Sequence, residues 1–580
     1  MSTVTTPPSP AFTRSGPSWR YRVESMPVRR LQDFTLAAAV VTVGAVAHAA
    51  NLSAAPGRSG AEGVLVGRAW LLDDGGLVSR ATDWYDHPPL GWLLLGAWTS
   101  LTSAFDRAPT AVAAGRELML VAYVASAALL WVLGRRLRLR RWSAALALAT
   151  FGLLPPVVEL HRRVSLDNLA VPWALAAFAL ASHPRRPLFA YAGSGACLGA
   201  AVLTREWALL LAPLLAWHLR RSSVPSTRRY ALTVSSTVFA LVLLGSGLGV
   251  AAAGELAASS NHPGLLDGLG HRLTHLDGVV GGGGVAIAVL PAAALAVAAL
   301  AQTAWHRREA TGRPGTPLLF VGAVAAVAVA AWWGTERGLV TGDDPTAADE
   351  ALAGAEVWVR TELSQLPVPV RLVTDDALWA DLVVAGVPAD RVTATGALEL
   401  PADVGPVAPA WEDHQVVVAT AAVRDAAPAG LLDDAVPLAL FGSGAERIEV
   451  LRVGPRPDLP HDVDAAAAQG TALTRNPALV LAMGPAEDLA AGRVDTRLTT
   501  TLVALAAAGP VELRELPAPP AEQAAGMPRR VAVLGFGSPE EARSAAGLLR
   551  AQQPPYLPAR VDLDAAAGQV TVTYLPAPLA

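Results

Sequence analysis

The chain has 580 residues, 52% of them hydrophobic and 16% charged, with a mean hydropathy of +0.38. Soluble domains carry about 25% charged residues, so a wholly soluble enzyme, a disordered scaffold and a nucleic-acid binder with a basic footprint are excluded. The net charge of −4 hides a split, with 29 Arg against 17 acids in residues 1–340 and 16 Arg against 32 acids in residues 341–580.

That asymmetry predicts an integral membrane domain followed by a water-soluble region. Residues 1–33 read as a basic cytoplasmic segment and residues 34–340 as the membrane domain. Apolar runs of about 17–25 residues span a bilayer as helices. The candidates are Phe34–Ala50, Glu117–Leu133, Trp142–Val158, Leu169–Ser182, Pro187–Leu203, the short Ala208–His218, Tyr230–Ala253, Gly284–Gln302 and Pro317–Trp333. Ala47-His48-Ala49 resembles a signal-peptidase site, but the basic leader before it is too long for a cleaved signal, so the first run is read as a retained span. The Arg clusters at 20–30, 135–141, 185–186, 220–229 and 307–313 all fall on one side if Gly91–Phe105 lies along the outer surface instead of crossing. Nine crossings then place the N-terminus in the cytoplasm and the C-terminal region outside the cell membrane.

After residue 341, short β-rich runs alternate with helical ones, which predicts an α/β sandwich. Strands are expected at Val370–Thr374, Gln415–Ala419, Pro437–Phe441, Arg447–Val453, Arg530–Gly535 and Gln569–Tyr574. Helices are expected at Gly354–Leu363, Ala377–Ala385, Pro477–Ala491, Thr496–Ala508 and Glu540–Arg550. The Pro-rich stretch 455–460 divides this region into 341–455 and 456–580. Gly442-Ser443-Gly444 and Gly535-Phe536-Gly537 lack the third glycine of a dinucleotide fingerprint and read as turns, and Asp375-Asp376 reads as a helix cap.

The proposed spans hold almost no ionisable groups at mid-depth, which argues against a coupled transporter. Charge gathers instead at the expected outward ends. The first outer loop, 51–90, carries Glu62, Asp73, Asp74, Asp83, Asp86 and His87; one later turn carries His161, Arg162, Arg163, Ser165, Asp167 and Asn168, and another Thr204-Arg205-Glu206-Trp207. Such a set suits transfer from a lipid-linked phosphate. An Arg fork holds a phosphate and stabilises it as it departs. A carboxylate takes the proton of an attacking hydroxyl, worth about 10²–10⁴ in rate. A divalent ion (Mg, Mn or Ca) on carboxylates such as Glu62 and Asp86 could assist the leaving group. The alternative for each residue alone is an ordinary solvated loop end, and for Asp167 a helix N-cap. Trp84, Tyr85 and Trp92 read as interfacial anchors.

Trp84-Tyr85-Asp86-His87-Pro88-Pro89-Leu90-Gly91-Trp92 resembles the first-loop motif of polyprenyl-phosphate-sugar-dependent GT-C glycosyltransferases, in the protein O-mannosyltransferase and aminoarabinose-transferase branch. Arg163-Val164-Ser165-Leu166-Asp167-Asn168 with Ala170-Val171-Pro172, and Leu203-Thr204-Arg205-Glu206, resemble the same family in the same order. The resemblance covers about residues 30–335. It implies a multi-spanning α-helical GT-C-like domain that takes sugar from a polyprenyl phosphate at the outer face of a bacterial membrane. The acceptor would be a glycan, glycolipid or protein hydroxyl. On that resemblance Glu62, Asp86 and His87 are catalytic, Arg162, Arg163 and Arg205 hold the donor phosphate, and Asp167, Asn168, Glu206 and Tyr85 support them. The chain departs from the family where the first loop should open with Asp-Glu, since it has Ala61-Glu62. The base is then Glu62 or another acid; otherwise the chain is a degenerate relative that binds lipid phosphate or glycan without transfer.

Overall fold

The computed structural model describes residues 19–53, 56–73, 88, 90–183, 188–256, 284–311, 347–363, 370–395, 411–444, 447–453 and 462–576. Apolar composition sets the first part. Helix α1 (Trp19–Ala49) carries an apolar window, Leu31–Ala49, and α2 (Gly60–Asp73), α3 (Leu90–Thr102) and the short α4 (Ala104–Arg107) follow. Helix α5 (Ala111–Arg136) is 26 residues long. At 1.5 Å rise per residue it extends about 39 Å, enough to cross a bilayer core of about 30 Å. Thr110 caps its N-terminus, accepting from the Ala113 N–H, and Arg135 near its C-terminus pairs with Asp33 of α1 at 2.8 Å.

The expected continuous span Trp142–Val158 is broken. Helices α6 (Arg141–Gly152) and α7 (Pro155–Arg162) meet at 63°. Pro155 and Pro156 cannot donate backbone hydrogen bonds, so the chain stops one helix and opens another. Helices α8 (Leu166–Ala181) and α9 (Leu188–Thr204), a 3₁₀ turn at Glu206–Leu210, α10 (Leu211–Ser222), α11 (Arg228–Leu256) and α12 (Gly284–Thr311) complete the described part of this unit. Among the described residues three helices are long and apolar enough to cross a membrane, or four when α6 and α7 count as one, alongside four shorter apolar helices. The expected Ala208–His218 span is split between the 3₁₀ turn and α10. Pro317–Trp333 lies outside the described residues.

The acidic part contains two five-stranded sheets. In the first, β1 (Leu372–Thr374), β2 (Val392–Ala394) and β3 (Val416–Ala419) are parallel, and β4 (Val436–Phe441) and β5 (Ile448–Arg452) form an antiparallel hairpin whose β5 pairs antiparallel with β3, in the order β2-β1-β3-β5-β4. Successive side chains point to opposite faces of a strand. Leu372, Val416 and Val418 accordingly enter one core with Trp358, while Val373, Val417 and Ala419 enter another with Val423. Both faces of this sheet are covered by α13 (Ala347–Leu363), α14 (Asp376–Val384) and α15 (Ala421–Ala426). Asp375 caps α14, accepting from the Leu378 N–H at 2.8 Å.

The second sheet runs β6 (Leu479–Leu481), β7 (Val511–Glu515), β8 (Val531–Gly535), β10 (Gln569–Thr573), β9 (Arg560–Asp564), parallel only between β6 and β7. It packs with α16 (Val463–Thr474), α17 (Met483–Ala490), α18 (Thr496–Ala508) and α20 (Pro539–Arg550), and α19 (Pro520–Ala524) reaches back to β4. Pro477–Ala491, expected as one helix, is instead β6 followed by α17. Tyr574 closes this core, its phenol 2.6 Å from Thr501 Oγ1, and burial pushes it from the usual 10 up to about 12. The folded chain therefore keeps a proton that the unfolded chain loses near pH 10, and this contribution to stability falls away as pH rises from 10 towards 12. An alkaline unfolding titration should show that loss in wild type but not in Tyr574→Phe, and identical curves would contradict the assignment.

The two parts meet where α14 lies on α2. A Cβ at Gly63 would overlap the Asp376 carbonyl and the Ala377 amide, and one at Gly67 would overlap the Trp379 ring. Asp381 on α14 pairs with Arg58 and accepts the Ala111 N–H that opens α5, at 2.7 Å. Burial pushes this carboxyl above the usual aspartate range, against the pull of Arg58 and the Ala111 amide. Because backbone cannot yield at Gly63, Gly63→Ala should cost about 1–3 kcal/mol. Thermal melting of the full chain in nanodiscs checks this, and an unchanged Tm would contradict the close packing.

Candidate active site

The site is built from three turns of the membrane domain that pack together. The first is the entry to α2. Ser59-Gly60-Ala61-Glu62 has capping-box spacing and forms the Glu half of the box: the Ser59 N–H donates to Glu62 Oε2 at 3.2 Å, and the Ser59 hydroxyl donates to the same oxygen at 3.2 Å. Glu62 is 1% exposed. Arg116 of α5, with no exposed surface, donates Nε to Oε1 and Nη2 to Oε2, both at 3.0 Å. The Val164 N–H adds a further bond to Oε1 at 2.9 Å. The carboxylate thus joins α2, α5 and the turn between α7 and α8, and donors on three elements fill both of its oxygens.

The second turn runs from His161 to Asn168. Arg162 is buried and points back to α1, where its Nη2 donates to the Ala47 and Ala50 carbonyls, the former at 2.6 Å. It closes the C-terminal end of that helix, whose last carbonyls lack internal partners. Arg163 is half-exposed, 2.9 Å from Glu159 one helical turn earlier. Asn168 holds the turn in shape, with Nδ2 donating to the Leu160 and Arg163 carbonyls at 2.9 and 3.0 Å and Oδ1 3.0 Å from His161 Nδ1. The cap of α8 is Ser165, which accepts the Asp167 N–H at 3.1 Å, so the N-cap reading of Asp167 is corrected. The Asp167 carboxylate turns instead to the third hairpin.

In that hairpin Asp167 Oδ1 accepts from Arg205 Nε at 3.2 Å and from Trp207 Nε1 at 2.6 Å, while Ser165 Oγ donates to Oδ2 at 3.0 Å. Glu206 lies 4.0 Å from Arg205 Nη1. The start of α3 closes onto the same place, since a Cβ on Gly91 would strike Leu166 and crowd Thr204, neighbours of Asp167 and Arg205. Trp92, expected at the interface, is buried on that helix. Tyr85, Asp86 and His87 lie outside the described residues.

The structure therefore brings Glu62, Arg163, Asp167, Asn168, Arg205 and Glu206 onto one connected set of turns, with Arg162 directed to the end of α1. Arg116 and Trp207 were missed. Trp207 offered no separate signal, but Ser59-x-x-Glu62 is legible as capping-box spacing, and a lone Arg heading an apolar run calls for a partner acid. Among the described residues no three His, Cys, Asp or Glu side chains are grouped to hold a metal. Glu62 does not fit as a metal ligand, because cationic and amide donors surround both oxygens.

No family model matches the chain, and no curated protein does. Solved structures similar to it include a protein O-mannosyltransferase Pmt1-Pmt2 complex of S. cerevisiae bound to the sugar donor, at 15% identity and a TM-score of 0.31. That match covers 40% of this chain and 35% of the yeast one. ArnT from Cupriavidus metallidurans in the apo state is similar at 13% identity and a TM-score of 0.42, covering 74% of this chain and all of ArnT. This chain thus spans about a third of the yeast chain it matches.

Proposed function

We propose that the chain is a multi-pass membrane glycosyltransferase of GT-C type, which moves a sugar from a polyprenyl-phosphate donor to a hydroxyl of a cell-envelope glycan, glycolipid or secreted protein. The observation that carries this reading is the junction of Asp167, Arg205 and Trp207 between two hairpin tips, beside half-exposed Arg163. Asp167 fixes the Arg205 guanidinium through Nε. A guanidinium so oriented suits the phosphate of the donor, as a planar fork matches phosphate oxygens. In the reaction the acceptor oxygen attacks the anomeric carbon, the bond from that carbon to the phosphate oxygen breaks, and the electron pair leaves with the polyprenyl phosphate. The acceptor proton passes to a carboxylate. We assign that base to Asp86, with His87 beside it in the sequence, and give Glu62 a positioning role because its oxygens are already taken.

In this reading the N-terminus is cytoplasmic, and the three turns and the α/β region face outward. A reporter fused after Pro345 checks that orientation, and a cytoplasmic signal would overturn it. The reaction is tested with purified chain in nanodiscs and a sugar-loaded polyprenyl phosphate, where release of polyprenyl phosphate is the expected result. A second reading rests on the locked Glu62 and on Ala61 where the family has Asp: a protein that binds lipid phosphate without transfer. Saturable donor binding with no release would select it, and neither binding nor release would exclude both.

A further inference from the structure

The far end of α10 from the Arg205 turn carries a separate cluster of charge. Arg220 and Arg221 lie in the last turn of α10, Arg228 and Arg229 open α11, and residues 223–227 join the two helices. The connection is held by its own backbone: the Ser223 N–H donates to the Leu219 carbonyl at 2.9 Å and the Thr227 N–H to the Val224 carbonyl at 3.0 Å. His218 Nε2 lies 2.8 Å from Ser182 Oγ, which ties α10 to the end of α8. Arg220, Arg221 and Arg229 are exposed and Arg228 is half-buried.

The sequence has no acid from residue 207 to residue 254, and among the described residues none of the four guanidiniums pairs with a carboxylate. Arg107, Arg135 and Arg163 each have such a partner. Like charges so close repel one another, and an anion seated among them offsets that cost. The surroundings select the kind of anion. Trp217 is 54% exposed, with the Arg221 guanidinium 5.4 Å from its ring centre, and Tyr230 on α11 is 49% exposed. Such rings sit where the hydrocarbon of a bilayer meets the headgroups. Elsewhere on the two helices Leu214, Leu241 and Leu244 are exposed, a surface that suits lipid tails and not a soluble anion or an acidic peptide. Guanidinium forks match the oxygens of a phosphate.

We propose that this turn binds the phosphate of an anionic phospholipid in the adjoining leaflet, drawn there as juxtamembrane arginine clusters draw anionic lipid. The four arginines hold the headgroup, and Trp217 and Tyr230 flank the glycerol below it. The inference rests on α10 and α11 lying in a bilayer and not on sugar transfer, so the two are tested apart.

Native mass spectrometry of the full chain in detergent, titrated with phosphatidylglycerol and with phosphatidylcholine, reads the affinity of each lipid. The first phosphatidylglycerol should bind at least about fivefold more tightly than phosphatidylcholine, the effect of one arginine at headgroup level. Replacing all four arginines with Ala should weaken it by about fivefold or more. Arg221→Gln with Arg229→Gln, both exposed, should also weaken it by about fivefold and keeps the test decisive if the fourfold variant fails to fold. Arg107→Ala removes an exposed arginine already paired with Glu117 and should leave the affinity within about twofold. Equal affinity for the two lipids, wild-type affinity in the folded variants, or an equal loss in Arg107→Ala would overturn the proposal. Displacement of the lipid by an equal concentration of glycerol phosphate would overturn it too, naming a soluble phosphate ester as the occupant.

Discussion

Replacing Arg116 with Ala is expected to destabilise the membrane domain by about 3–5 kcal/mol, the usual cost of leaving one member of a buried pair uncompensated. The pair is fully enclosed, with Arg116 and Glu62 at 0% and 1% exposure. Arg116 also donates Nη1 to the Leu52 carbonyl at 3.1 Å, so its loss releases the chain after α1 as well as α2. Replacing both partners with apolar residues, as in Glu62→Leu with Arg116→Met, should cost much less than either single change, because no charge is then stranded. Thermal melting in nanodiscs reads the contrast. A double variant no better than Arg116→Ala would contradict a role resting on charge compensation.

The second large effect is on turnover. Arg205→Ala should lower release of polyprenyl phosphate by about 10²–10³, the range seen when a donor aimed at developing charge is removed. Arg205→Lys keeps the charge but loses the planar fork held on Asp167, so most of the activity should remain lost. A fall in kcat larger than any rise in KM would mark stabilisation of the departing phosphate over ground-state binding. Trp207→Phe is a milder companion: it removes one donor from Asp167 and should loosen Arg205 without removing it. Full activity in Arg205→Ala would remove the guanidinium from the reaction.

Where composition and periodicity act alone, the sequence was a good guide. Thr496–Ala508 forms the helix expected of it, and the β3, β8 and β10 runs, rich in Val, are strands. Ala-rich Pro477–Ala491 misled because helix propensity is a weak prior. Pairing of Leu479–Leu481 with Val511–Leu513 overrides it. Strand β9, Arg-Val-Asp-Leu-Asp, was missed because it is a half-exposed edge strand, and β2 because three residues carry too little pattern. At the site, Asp167 and Arg205 were recognisable as types, whereas the inward turn of Glu62 depended on Arg116, which is distant in sequence. The docking of α14 on α2 had a trace in the spacing of Gly60, Gly63 and Gly67, though nothing in the sequence said which helix would fill that face.

An experimental structure of the chain with polyprenyl phosphate bound in nanodiscs tests the central claim most directly. The phosphate should lie within about 2.7–2.9 Å of Arg205 nitrogens, with Arg163 turned towards it and Glu62 still closed on Arg116. Phosphate density on another face of the membrane domain, with Arg205 making no contact to it, would contradict the account.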